Sequence, residues 1–73
     1  MGKSELQNKI KVHRAIKNIT QEELASEIGV TRKTINTIEN GKFIPSTILA
    51  IKLAQFFEIK VEELFFLATF DNV

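Results

Sequence analysis

Arg32, Lys33, Asn36 and Thr37 are the residues of this 73-residue chain best equipped to do chemistry, and that chemistry is hydrogen bonding to the edges of base pairs. On a helix they would share one side with Asn40, while Ile35 and Ile38 share the other. Arg suits guanine, Asn suits adenine, and a Thr methyl packs against that of thymine. The alternative is an ordinary helical hairpin whose polar side is merely solvated. Other chemistries lack their residues. There is no Cys and only one His, His13, so neither a disulfide, a Cys-based zinc site nor a metal cage can form. With no Gly-rich phosphate loop and no nucleophile paired to a base, an enzyme is not expected. No metal, cofactor or small-molecule ligand is expected either.

The elements that must position these residues have local signatures. Thr20 and Glu23 have the spacing of a capping box, which predicts a short helix opening at Gln21. Leu24 and Ile28, with Ala25 beside them, give it an apolar side, and Gly29 can adopt the positive φ that ends a helix in a sharp turn. Thr31 can cap a second helix running to Asn40, with Gly41 stopping it. Two helices joined by so few residues form a helix-turn-helix over about residues 21–40.

At this point the stretch resembles the helix-turn-helix of the Cro/cI-type (XRE) transcriptional regulators. Gln21 matches the polar opening residue, Ala25 the small residue where the helices approach, and Gly29 the turn. Leu24, Ile28, Val30, Ile35 and Ile38 match the apolar positions. The resemblance spans about residues 10–65. It implies an all-α, five-helix lambda-repressor-like DNA-binding domain in which Arg32, Lys33, Asn36 and Thr37 read bases. Gln21, Thr31, Asn40 and Lys42, near helix ends, would contact phosphates. It also implies an ion pair between Arg14 and Glu39, tying the first helix to the recognition helix; a surface or phosphate-contacting Arg14 is the alternative. Some short members close the fold with an antiparallel ribbon from both termini, which here would pair roughly residues 4–7 with 66–70. A continued last helix or a frayed tail is the alternative to that ribbon.

Around the motif, residues 8–17 are expected to form the first helix, ending near Asn18, with His13 as a packing residue where the family usually has Leu. After the loop of Lys42 to Pro45, Ser46 caps a long helix to about Phe57 with Leu49, Leu53 and Phe57 at core spacing. Glu58 stands where the family usually has Gly. A last helix is expected over residues 61–65, with Glu62 and Glu63 in its first turn and a poor cap in Lys60. Val12 and Ile16 give the first helix a further apolar stripe, which the C-terminal tail could cover.

The net charge of +1 conceals an asymmetry. Residues 1–45 hold eight Lys or Arg against five Asp or Glu, whereas residues 46–73 hold two against four. Positive charge thus lies with the recognition half, as neutralising phosphates requires. No run is long and apolar enough to cross a bilayer, and a cytoplasmic, single-domain protein is expected over residues 1–73. A core this small rarely yields more than about 3–5 kcal/mol unaided, and apolar residues are in surplus outside the motif. Both point to a homodimer, with Ile44, Pro45, Val61 and Phe65 at its interface and residues 59–73 serving dimerisation. The function expected is a sequence-specific transcriptional regulator that binds a palindromic operator in double-stranded DNA, a repressor by blocking polymerase, with activation by recruiting polymerase through the same surface as the alternative. The second reading is an antitoxin-type protein-interaction module with autoregulatory DNA binding, for which a co-purifying polypeptide would be the sign.

Overall fold

The computed structural model describes residues 5–68. Its elements run in the order β1 (Leu6–Asn8), α1 (Ile10–Lys17), α2 (Gln21–Ile28), α3 (Arg32–Glu39), α4 (Thr47–Phe57), α5 (Val61–Leu64) and β2 (Phe65–Leu67). Each helix contributes apolar residues to one core. Ile10, Leu24, Ile35, Ile38, Leu53 and Leu64 are its largest fully buried side chains.

The helix boundaries follow from side-chain chemistry at their ends. Thr20 and Glu23 form both halves of the capping box, with Glu23 N–H donating to Thr20 Oγ1 at 3.0 Å and Thr20 N–H to the Glu23 carboxylate at 2.8 Å. Ser46 caps α4 by accepting from Leu49 N–H at 3.1 Å. At the other end of α4, Glu58 itself takes the left-handed conformation, at φ 60°, that Gly usually supplies. Lys60 offers no side-chain cap, and Glu63 instead reaches back to the Lys60 N–H at 2.8 Å.

Three expectations are corrected. The first helix begins at Ile10 and not at Asn8, because Asn8 is extended and its Oδ1 accepts the Ile10 N–H at 3.1 Å. The last helix ends at Leu64, since Phe65 has turned into β2. Val12 and Ile16 are not covered by any described part of the C-terminal segment: they remain 53% and 72% exposed. That segment instead pairs with β1 as an antiparallel ribbon, in the register Leu6 to Leu67, Gln7 to Phe66 and Asn8 to Phe65. Among the described residues the ribbon keeps the expected pairing, with Ala68 N–H donating to the Glu5 carbonyl at 2.7 Å, and it extends one pair further inward to Asn8 and Phe65; Ser4, Thr69 and Phe70 lie outside the described residues.

Candidate nucleic-acid interface

The turn between α2 and α3 is set by Gly29, whose φ of 89° lets its N–H and that of Val30 both reach the Ala25 carbonyl, at 2.8 and 3.0 Å. Ala25 is buried where the helices meet, so nothing larger holds them apart. Thr31 then caps α3, accepting from Thr34 N–H at 3.2 Å, and its hydroxyl meets that of Thr34 at 3.0 Å. Thr34 had no assigned part in the sequence reading. Burial of Ile35 and Ile38 fixes which side of α3 faces out.

On that outward side Arg32 and Lys33 are exposed, and Asn36 and Thr37 are half-buried. The Thr37 hydroxyl turns back on its own helix, 3.0 Å from both the Lys33 and Thr34 carbonyls. Its one proton is thereby engaged. What Thr37 can offer a base is its methyl group and the lone pairs of its hydroxyl oxygen.

The structure brings Arg14 and Glu39 together as a nearly buried pair, Nε to Oε2 2.6 Å, with side chains 15% and 6% exposed. Arg14 Nη2 adds a longer bond to Glu39 Oε1 at 3.3 Å, and Nη1 donates to the Ile19 carbonyl at 3.0 Å. Removing two charges from water is offset here by bidentate geometry and by a further acceptor. His13 is half-buried with its ring 5.6 Å from that of Phe57.

Among the residues expected at phosphates, Thr31, Asn40 and Lys42 are exposed at the two ends of α3. Gln21 is placed differently from the rest. Its Nε2 donates to Glu39 Oε1 at 3.1 Å, and its Oε1 accepts from Asn36 Nδ2 at 3.5 Å. Asn40 Nδ2 in turn donates to Asn36 Oδ1 at 3.2 Å. Spacing alone carried no sign of these contacts, which tie the start of α2 to the C-terminal half of α3. Asn8 was missed for the same reason: its Nδ2 donates to the Ile38 carbonyl at 2.9 Å and so holds the end of α3.

The four residues expected at a dimer contact fall into two groups. Ile44 is 60% exposed and Val61 half-buried, but Pro45 is buried and Phe65 belongs to the protomer's own core. Pro45, Val61 and Phe65 line a shallow apolar groove of about 360 Å³ with Leu6 and Ile51. Pro45 and Phe65 are thus its floor and not a projecting surface. Among the described residues no helix is long and apolar enough to cross a membrane.

Comparison with known proteins gives concordant results. A helix-turn-helix family model matches residues 5–64. The chain is 52% identical over 60 residues to an uncharacterized HTH-type transcriptional regulator of Methanocaldococcus jannaschii, covering 82% of this chain and 91% of that one. It is 42% identical over 62 residues to the uncharacterized HTH-type transcriptional regulator YgzD of Bacillus subtilis, covering 85% and 94%. Among solved structures it is similar to the restriction-modification controller protein C.AhdI from Aeromonas hydrophila. There the TM-score is 0.69 at 29% identity, over 75% of this chain and 80% of that one.

Proposed function

This chain belongs to the helix-turn-helix family, and from that premise we propose that it is a sequence-specific DNA-binding transcriptional regulator, acting in the cytoplasm as a single-domain homodimer. The observation that carries this reading is the outward side of α3. It offers Arg32, Lys33, Asn36 and Thr37 on a helix locked by a cap at its start and by buried isoleucines beneath. That is the form of a major-groove reader, with Thr31, Asn40 and Lys42 disposed toward the flanking phosphates and Gln21 turned instead toward Glu39 and Asn36. Repression would be steric: a bound dimer occupies promoter DNA that polymerase needs.

The dimer is supported by the groove between α4, α5 and β1. Ile44 and Ile48, 60% and 69% exposed, stand beside it at the start of α4. Leu67, 68% exposed, lies on the same ribbon face as Phe65, which lines the groove. An apolar groove whose lining residues have exposed apolar neighbours in sequence suits a second copy of the chain across a two-fold axis. A two-fold pair would present its recognition helices about 34 Å apart, one turn of the duplex.

A pool of duplexes randomised over about two helical turns, offered to the purified chain and sequenced after selection, tests the proposal. Enrichment of a two-fold sequence is expected; an unenriched pool would overturn it. The exposed stripe of Val12 and Ile16, away from the groove, favours the antitoxin-type module as the second reading. A second polypeptide that co-purifies through that stripe, and is lost on Ile16→Asp, would establish it.

A further inference from the structure

We infer that Gln21 is a positioning residue for base readout: anchored by Glu39, it holds the Asn36 carboxamide in one of its two orientations and so makes α3 select adenine. The inference rests on the DNA-binding reading above. It follows from the direction in which each hydrogen bond must run.

Glu39, paired with Arg14, has only lone pairs to offer, so the Gln21 amide must turn its NH2 toward Oε1, where it lies at 3.1 Å. Gln21 Oε1 is then left facing Asn36. Across 3.5 Å it can be met only by a donor, which is the Asn36 NH2, and Asn36 Oδ1 is met by the Asn40 NH2 at 3.2 Å. Reversing the Gln21 amide would set its oxygen against the carboxylate. Reversing Asn36 would oppose oxygen to oxygen on one side and NH2 to NH2 on the other. The polarity of the whole series is therefore set at Glu39, whose side chain is 6% exposed and poorly reached by competing water.

After these bonds Asn36 retains one N–H and one lone pair. Adenine presents the complement in the major groove, an acceptor at N7 and a donor at N6. Guanine presents two acceptors, and its O6 would meet Asn36 Oδ1 with no proton between them. A freely turning amide could adapt by presenting its NH2 to guanine or thymine; a held one cannot. Discrimination at this base pair thus depends on a residue of α2 that need not touch the base.

The test repeats the randomised-duplex selection with the full chain, its Asn36→Ala variant to identify the base pair that Asn36 reads, and two substitutions at Gln21. Gln21→Met removes both contacts. Gln21→Lys keeps a donor for Glu39, which preserves the fold, but offers Asn36 no acceptor. Both variants should lose adenine preference at that base pair by roughly tenfold. Preference at the pair read by Arg32 should persist, and thermal unfolding verifies that each variant is folded. If both retain the wild-type preferences while Gln21→Met weakens every duplex alike, Gln21 is a phosphate contact and the inference is overturned. Wild-type enrichment without adenine at the Asn36 position also overturns it, leaving the DNA-binding reading intact. A wild type that enriches nothing removes both.

Discussion

At the scale of single residues, the outward side of α3 and the ion pair beneath it make separable predictions. Arg32→Ala should cost roughly 1–3 kcal/mol on the preferred duplex and relax the choice at one base pair, measured by titration against duplexes altered there. Lys42 lies exposed beyond the end of α3. Lys42→Ala should instead weaken all duplexes alike and lower the salt slope of binding by about one unit, and an unchanged slope would remove it from the phosphate set. Removing Glu39 leaves Arg14 charged and nearly buried, and also deprives Gln21 Nε2 of its acceptor. Glu39→Ala should therefore destabilise by about 3–5 kcal/mol, as much as so small a core supplies, whereas replacing both partners with apolar residues should be milder. A double-mutant cycle by chemical denaturation gives the coupling directly.

At the scale of elements, the ends of helices were legible in the sequence wherever one local group decides them. Thr20 with Glu23, Gly29, Thr31 and Ser46 are such cases, and each cap is formed as its residue type requires. Asn8 was misread because helical spacing extends back to it, while its capping of Ile10 depends on a strand partner at the far end of the chain. The burial of Phe65 and the tie from Gln21 to Glu39 were illegible for a similar reason: both depend on packing between elements distant in sequence. Glu58 is informative in the opposite sense. It holds φ 60° without the freedom of Gly, so Glu58→Gly should raise stability by about 1 kcal/mol, read as a shift in denaturation midpoint.

At the scale of the whole molecule, charge and apolar surface are divided between two regions. The recognition half carries the basic excess, and the apolar groove lies between α4, α5 and β1. Ile48, exposed beside that groove, is a better probe of the dimer than Val61, which already packs against the protomer's core. Ile48→Asp should leave the fold intact while converting a sedimenting dimer into a monomer that binds a half-site weakly. A wild type that sediments as a monomer at micromolar concentration without DNA would exclude a preformed dimer.

The ribbon has a kinetic consequence. Leu6 pairs with Leu67, so the ribbon can close only after nearly the whole chain has been drawn into a loop, whereas α2 and α3 meet through neighbouring residues. Closing so long a loop has an entropic cost that local helix pairing avoids, so the helical hairpin should form early and the ribbon last. The same order run backward makes the ribbon the first part to open in the folded protein. Since Asn8 in that ribbon holds the Ile38 carbonyl, each opening briefly releases the end of the recognition helix. In hydrogen–deuterium exchange the amides of Lys9 and Ala68, bonded across the ribbon to Leu64 and Glu5, should therefore exchange well before those of Leu24 and Ile35.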